Sequence, residues 1–389
     1  MIILDKPYIS EFLLNTLERN KIPVIHTSVI DEYAAGRNLM LLSPEEAIAQ
    51  FEEGNNNLLY TNSENSISWI ENNLHHTSLP GKIKKFKNKV LFRDLIRDMF
   101  PGYFYKGISL DVLESLDAKD FPFPFIIKPA VGFFSLGVYK VEKLSDWEET
   151  VQTILKEIDL IKDLYPPEVL HTGEFIIEES INGDEFAIDC YFNNLGQPVV
   201  LNIMKHIFSS GTDVNDRVYI TSKEIIENYK NPITIFLTEI GKRAELRNFP
   251  AHVEVRIDEN GFVAPIEVNP LRFGGWCSTP DLAWHAFGIN LYEYLFQQKQ
   301  PDWNLLLKDK DGAVFSNIVL NNSTGIEGKH IQSFDYEKLL ADFEKPLELR
   351  KADFSKFPLF GFLFCETRKQ NMQELESILM SDLNEYVKS

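Results

Sequence analysis

The chain has 389 residues, which is too long for one hydrophobic core and predicts two or three domains. Its hydrophobic content of 44% and charged content of 25% are typical of a soluble globular protein. The formal net charge of −19 argues against nucleic acid or an anionic membrane as a partner, because both require clustered Lys and Arg. An anionic ligand would therefore need a local basic pocket.

The three cysteines, Cys190, Cys277 and Cys365, lie far apart and have no CxxC spacing. We expect free thiols in a reducing compartment, not disulfides or a zinc site. The first residues are apolar for too few positions to form a signal peptide, and no apolar run approaches the roughly 18 residues of a membrane helix. The sequence predicts a cytoplasmic protein.

Residues 1–85 alternate short apolar runs with helical stretches, which predicts a small α/β domain with a parallel sheet. Ser43 and Glu46 form a predicted capping box around Pro44, the first helical position. The domain lacks a GxGxxG motif, so we do not interpret it as a dinucleotide site.

The segment 82–89 contains five lysines and is interpreted mainly as a solvated linker, with one lysine as a candidate phosphate contact. A helix is predicted to follow it, with four residues facing inward: Val90, Leu91, Leu95 and Met99. Further along, Lys128 ends a predicted buried strand, where a cation is costly unless it meets an anion. A surface lysine at a strand end is the alternative.

Residues 145–164 are predicted to form a helix that opens with a second capping box, Ser145 to Glu148. A strand, a turn and a hairpin are predicted over 174–206. The polar segment 207–222 is interpreted either as a mobile cover over a substrate or as a solvated loop.

The segment 252–276 predicts a β-hairpin around the sequence DENG. If the asparagine and glycine are the central residues of a tight turn, Glu254 faces Glu267, and two such carboxylates repel. A cation between them would remove the repulsion, and with Asn269 these oxygen ligands suit a hard divalent ion such as Mg²⁺. A solvated strand edge without function is the alternative.

Three histidines of the chain, His206, His252 and His285, have no pairing that marks a general base, and we interpret them as structural. Trp276 is either a pocket wall or a core residue. The remaining chain is predicted to form a helix broken at Gly288 and then strand, helix, strand and helix over four segments: 312–320, 336–344, 359–367 and 371–387.

Three segments in order resemble the ATP-grasp superfamily: FIIKPAVGFFSLGVYKV, FIIEESINGDEF and HVEVRIDENGFVAPIEVNP. The resemblance covers roughly residues 85–300 and implies a nucleotide clamp between two α+β subdomains. The predicted fold class is therefore α/β and α+β. A Rossmann-like α/β domain over 1–85 precedes the ATP-grasp domain over 86–300, and a carboxyl-terminal α+β subdomain over 301–389 follows it.

The resemblance also implies nucleotide contacts. Lys89 and Lys128 match lysines that face the phosphates, and the loop 130–137 matches a glycine-rich lid, with bulky Phe133 and Phe134 departing from the pattern. The small residues of that loop are Gly132, Ser135 and Gly137. The adenine and ribose positions are matched by Glu178, Glu179, Ile181 and Glu185.

The implied metal ligands are Glu254, Glu267 and Asn269, the residues that the hairpin argument also selects. The implied cofactors are ATP and Mg²⁺, with Mn²⁺ as a substitute. Arg272 is expected to hold a substrate carboxylate or an acyl-phosphate, although the extra Leu271 departs from the family pattern. Arg256 is interpreted instead as a structural partner for a neighbouring acid.

The resemblance implies an ADP-forming carboxylate–amine ligase that acts on small molecules. Two alternatives stay open: a regulatory ATP-binding protein without turnover, and a carboxylase-like or peptide-modifying enzyme. We expect no nucleic acid or membrane partner, and a homodimer is one of the assemblies that the family adopts.

Overall fold

Short apolar runs separated by helices build a parallel sheet in the amino-terminal region, as predicted. A computed structural model describes residues 1–34, 36–53, 57–132, 137–161, 171–209 and 216–388. The strand order in the first sheet is β3-β2-β1-β4. Its elements are β1 (Ile2–Ile3), α1 (Glu11–Asn20), β2 (Val24–Ile25), α2 (Ser28–Tyr33), β3 (Leu41–Leu42), α3 (Pro44–Glu53), β4 (Tyr60–Thr61) and α4 (Ile67–Asn73).

The first predicted capping box is confirmed. The backbone N–H of Ser43 donates to Glu46 Oε2 at 2.8 Å, and the N–H of Glu46 donates to Ser43 Oγ at 3.2 Å. Two orphan donors at the start of α3 are thereby satisfied.

The lysine-rich segment is helical, so its interpretation as a linker is wrong. It forms most of α5 (Leu79–Lys87), which is followed directly by α6 (Lys89–Ile96). The predicted inward face is only partly right. Leu95 and Met99 pack against the core, but the buried stripe of α6 consists of Lys89, Phe92, Arg93 and Ile96.

A small antiparallel sheet with its own hydrophobic core follows, in the order β5-β8-β6-β7. Ser145 does not form the predicted capping box: it lies in a 3₁₀ turn and its hydroxyl donates to Asp146 at 3.1 Å. Strand β5 was not predicted from the sequence. The elements are β5 (Tyr105–Ser109), β6 (Phe125–Val131), β7 (Tyr139–Val141), α7 (Trp147–Ile161) and β8 (His171–Glu179).

The rest of the chain builds an eight-stranded antiparallel sheet in the order β13-β12-β9-β10-β11-β14-β17-β16, and a two-stranded sheet of β15 and β18. The strands are β9 (Asp184–Phe192), β10 (Pro198–Ile207), β11 (Val218–Ser222), β12 (Phe249–Ile257), β13 (Val263–Pro270), β14 (Ala313–Asn321), β15 (Ser333–Phe334), β16 (Pro346–Lys351), β17 (Leu359–Arg368) and β18 (Val387–Lys388). The helices are α8 (Lys223–Arg243), α9 (Ser278–Phe287), α10 (Leu291–Phe296), α11 (Trp303–Leu306), α12 (Tyr336–Ala341) and α13 (Gln373–Met380).

Strands from residues 301–389 extend the sheet that contains the predicted metal hairpin, and a single large core joins the amino-terminal region to both. Two sequence interpretations are wrong here: residues 218–222 form a strand instead of loop, and the last predicted helix ends at Met380. The predicted break at Gly288 is confirmed, since this glycine caps α9 with φ 70°. Among the described residues, no helix combines the length and apolar character needed to cross a membrane.

Candidate active site

The hairpin of β12 and β13 brings two carboxylates face to face, as predicted. Glu254 is the direct cross-strand partner of Glu267. The turn is longer than the predicted one, because the last cross-strand pair before it is Ile257 with Val263. This pairing shifts the register by one residue and would by itself place Glu254 opposite Ile266. A β-bulge between Glu254 and Val255 restores the pairing, with Ile266 as the extra residue.

The two carboxylates have opposite electrostatic environments. Burial raises the pKa of Glu254 well above its usual range, and the negative charges of Glu267 and Glu185 raise it further. Burial alone would also raise the pKa of Glu267, but the positive charges of Lys89 and Lys87 lower it below the usual range. A proton on Glu254, or a cation between the two acids, removes their repulsion.

The donor set fits Mg²⁺ only in combination with a phosphate ligand. Asn269 Nδ2 donates to Glu267 Oε1 at 2.9 Å, so the Asn269 Oδ1 atom is the one that could face a metal ion. Within the described ranges, no group of three or more His, Cys, Asp or Glu side chains is arranged to hold a metal by itself. Mg²⁺ is commonly held by one or two carboxylates together with substrate phosphates, so two acids and an amide are sufficient.

Buried lysines surround this pair. Lys89 Nζ lies 3.1 Å from Glu267 Oε2 and 3.4 Å from the carbonyl oxygen of Gly132, the residue directly after β6. Lys87 is also buried, and it was not singled out from the sequence. Because α5 ends at Lys87 and α6 begins at Lys89, the two lysines stand on either side of the junction between the helices.

Glu178 on β8 bridges two further cations. Its Oε1 atom lies 2.7 Å from Lys128 Nζ, and its Oε2 atom lies 2.7 Å from Arg93 Nε. Burial would raise the pKa of Glu178, but Arg93 and Lys128 lower it to about 2. Lys128 therefore meets the anion that its buried position required, and Arg93 is a site residue that the sequence did not reveal.

The main chain after β8 forms the link between the small and the large sheet. Glu179 has both backbone groups satisfied, since its N–H donates to the carbonyl of Phe104 and its carbonyl accepts from Tyr103 Oη at 3.0 Å. The Ile181 carbonyl accepts from Arg256 Nη1 at 3.4 Å. Unlike the N–H of Glu179, the N–H of Ile181 has no hydrogen-bond partner among the described residues.

Glu185, on β9, has two basic side chains as neighbours. His206 Nδ1 lies 3.2 Å from its Oε1 atom, and Arg256 Nη2 donates to its Oε2 atom at 3.0 Å. Burial would raise the pKa of Glu185, but His206 and Arg256 lower it. Arg256 is thus the structural partner of a neighbouring acid, as interpreted from the sequence.

Part of the predicted lid lies outside the described residues, including Ser135 and both phenylalanines. Gly132 and Gly137 are described and stand on either side of that gap. Gly137 has φ 72°, and a Cβ there would lie 3.2 Å from the ring of Pro129. Glycine is therefore favoured at this end of the loop.

Arg272 follows the hairpin and forms an ion pair with Glu64 from the amino-terminal region, with 2.8 Å between Nη2 and Oε1.

Trp276 belongs to an aromatic cluster with three partners: Tyr8, Phe357 and Phe362. Of the three histidines interpreted as structural, the two besides His206 also each lie beside an acid. His252 lies 2.7 Å from Asp189, and His285 lies 2.8 Å from Glu348.

Residues 121–280 match the family model of the ATP-grasp domain. The chain thus contains an ATP-grasp domain, and its fold is the ATP-grasp fold. No curated protein matches the sequence.

Solved structures resemble the chain over its full length. The L-amino acid ligase from Bacillus licheniformis aligns with a TM-score of 0.68 and 18% identity, over 100% of this chain and 97% of that one. N5-carboxyaminoimidazole ribonucleotide synthetase from Thermotoga maritima aligns with a TM-score of 0.63 and 16% identity, over 100% and 98%. Biotin carboxylase from Campylobacter jejuni, in a β-γ-ATP complex, aligns with a TM-score of 0.63 and 12% identity, over 100% and 91%.

Proposed function

We propose that the protein is an ATP- and Mg²⁺-dependent ligase that activates a small carboxylate as an acyl-phosphate and transfers the acyl group to an amine. The products would be an amide or peptide, ADP and phosphate. The ATP-grasp fold supports this class of reaction, and two similar structures bear the names of a ligase and a synthetase.

The observation that carries the proposal is the concentration of buried positive charge around the paired acids. Lysine and arginine are rarely buried without an anion. Within a chain of net charge −19, the hairpin is nevertheless surrounded by four buried cations: Lys87, Lys89, Lys128 and Arg93. A triphosphate with a divalent metal is a ligand that matches both the cations and the opposed carboxylates.

The chain's residues would act by positioning and by neutralising charge. Lys89 and Lys128 would bind phosphate oxygens of ATP, and Glu178 would hold Lys128 in place. A substrate carboxylate oxygen attacks the γ-phosphorus, the bond to ADP breaks, and an acyl-phosphate forms. The amine nitrogen then attacks the carbonyl carbon, phosphate leaves, and the amine loses a proton. Electrostatic stabilisation supplies most of the rate in such transfers.

Glu254, Glu267 and Asn269 would hold Mg²⁺, which would supply positive charge to offset the negative charge of the terminal phosphates. Glu185 would accept hydrogen bonds from the ribose hydroxyls, because it is ionised and held by Arg256. The N–H of Ile181 is available as a donor to the adenine ring. Glu178 and Glu179 would contribute mainly to the shape of the adenine pocket.

The test measures ADP and phosphate release from Mg–ATP against pooled amino acids, small carboxylates and bicarbonate. Bicarbonate is included because biotin carboxylase is among the similar structures. Glu267→Gln should lower substrate-dependent release by roughly 100-fold, since a lost metal ligand costs several kcal/mol of transition-state stabilisation.

The control is Glu259→Gln, an isosteric change at an exposed position of the same hairpin. This variant should retain wild-type rates. Tight Mg–ATP binding without turnover in any pool would favour a regulatory binder or a peptide substrate, and full activity in Glu267→Gln would remove the proposed metal site.

A further inference from the structure

Glu64 is a buried carboxylate from outside the ATP-grasp domain that reaches the candidate active site. It is the first residue of a 3₁₀ turn, Glu64–Ser66, and two residues separate this turn from the end of β4. Ligands in α/β domains bind beyond the carboxyl ends of the strands, where the strand order reverses. In the order β3-β2-β1-β4, that point lies between β1 and β4, so Glu64 stands at the expected place for a functional residue.

Glu64 joins two cations that are far apart in sequence. Its Oε1 atom accepts from Arg272 Nε at 3.0 Å and from Arg272 Nη2 at 2.8 Å, and its Oε2 atom accepts from Lys87 Nζ. Burial would raise the pKa of Glu64, but Lys87 and Arg272 lower it to about 2, so this side chain is ionised at neutral pH. The three side chains together have one net positive charge.

The backbone beside Arg272 is attached to the same element. The N–H of Thr61, at the end of β4, donates to the carbonyl of Leu271 at 2.7 Å. Leu271 has φ 62°, which is uncommon for a residue other than glycine and occurs where the surrounding structure imposes it. The amino-terminal region therefore holds both the main chain and the side chain at this position.

The contacts of Arg272 leave part of its guanidinium group available. A guanidinium has five N–H donors. Two of them meet Glu64, and a third, on Nη1, meets the carbonyl of Phe273 at 2.9 Å. Among the described residues, no acceptor is found for the remaining N–H on each terminal nitrogen. Arg272 lies three residues after Asn269; burial would lower its pKa, but the negative charges of Glu64, Glu267 and Glu254 raise it.

We propose that Glu64 is a positioning residue that fixes Arg272, so that its two remaining N–H groups face an anion beside the paired carboxylates. The inference rests on the proposed function, in which that anion is the carboxylate or phosphoryl group of the acyl-phosphate. Lys87 offsets the charge of Glu64, so the carboxylate orients Arg272 without cancelling its attraction for an anion. The active site would then be complete only when the amino-terminal region is docked.

The test uses inorganic phosphate, a product of the proposed reaction, titrated into protein saturated with Mg–ADP. Glu64→Gln should raise the Kd for phosphate about tenfold, the loss expected when a charge-assisted hydrogen bond is loosened. The Kd for Mg–ADP should change by only about twofold, because Glu64 contacts Arg272 directly and is linked to the proposed nucleotide site only through Lys87.

Glu293→Gln is the matched control, since Glu293 also pairs with the amino-terminal region, through Arg19 and Asn20. It should leave phosphate binding unchanged. A simple loosening of the domain contact would weaken phosphate binding in both variants, and that result would overturn the inference.

A double-mutant cycle separates positioning from a direct role. Arg272→Gln should weaken phosphate binding, and adding Glu64→Gln should then have no further effect. Additive losses, an unchanged Kd in Glu64→Gln, or no phosphate binding by the wild-type protein would each overturn the inference. If Glu64→Gln does not fold, Glu64→Asp provides the same comparison, because the shorter side chain keeps the charge but moves Arg272.

This measurement needs no knowledge of the substrates. Phosphate binding that depends on Glu64, together with silence in the substrate screen, would reject the proposed ligase activity and keep the positioning role. Substrate-dependent turnover, together with phosphate binding that does not depend on Glu64, would keep the proposed ligase activity and reject the positioning role of Glu64.

Discussion

Replacement of Glu178 by Gln should destabilise the fold by about 3 kcal/mol at pH 7. The structural reason is that Glu178 is the shared anion of two buried cations, Lys128 and Arg93, and removal of one partner leaves buried charge uncompensated. The magnitude follows from the pKa of Glu178, which falls from 4.5 to about 2 on folding, equivalent to about 3 kcal/mol.

The pH dependence has a defined sign. Because the pKa is lower in the folded state, the stabilisation is complete above about pH 4.5 and is lost as the pH falls toward 2. The difference in unfolding free energy between wild-type protein and Glu178→Gln should therefore shrink between pH 5 and pH 3. Urea unfolding at a series of pH values measures it.

Glu239→Gln is the control for this prediction. Glu239 also pairs with two cations, Lys242 and Arg243, but it lies on the surface, where such pairs contribute little. A loss below about 1 kcal/mol in Glu178→Gln at pH 7, or a loss that does not change with pH, would refute the reasoning about a buried charge bridge.

Three further perturbations test other parts of the site. Lys128→Ala should raise the Kd for ATP at least about tenfold, because a charge-assisted phosphate contact is lost. An unchanged Kd in a calorimetric titration would contradict this assignment. Glu267→Gln should raise the Mg²⁺ concentration for half-maximal turnover about tenfold, with an unaltered circular dichroism spectrum; equal Mg²⁺ dependence would contradict the assignment. Gly183→Ala should cost about 2 kcal/mol in urea unfolding, since this glycine has φ 114° and a Cβ would lie 2.5 Å from the carbonyl oxygen of Ile257. Wild-type stability of that variant would show that the turn between β8 and β9 can relax.

The opposed acids were predictable because their chemistry is local. Both strands of the hairpin alternate in the usual way, and the DENG sequence marks the turn, so the pairing of Glu254 with Glu267 could be read within 14 residues. The reason given for the pairing was only partly right. A longer turn and a compensating bulge produce the register, and neither leaves a clear signal in the sequence.

The charge bridges were missed because their partners are distant in sequence. Glu178 meets Arg93 across 85 residues, and Glu64 meets Arg272 across 208. The one local signal was the position of Arg93 between Phe92 and Ile96 in α6, which becomes informative only once the inward face of the helix is known. An arginine within an apolar stripe is therefore a reason to search for a buried acid elsewhere in the chain.

The two bridges also explain how an acidic protein builds a site for an anion. Glu178 and Glu64 each hold two cations, and Lys89 pairs with Glu267, so four buried cations and the partly buried Arg272 meet three ionised carboxylates. With Glu254 protonated or bound to a metal ion, the site has an excess of positive charge. The carboxylates hold the lysines and arginines in fixed positions without neutralising all of them, and a bound triphosphate would supply the missing negative charge at the place where the reaction develops it. The net charge of −19 is a property of the whole chain, whereas the proposed affinity for an anionic ligand would arise from the pairing of charges around the site.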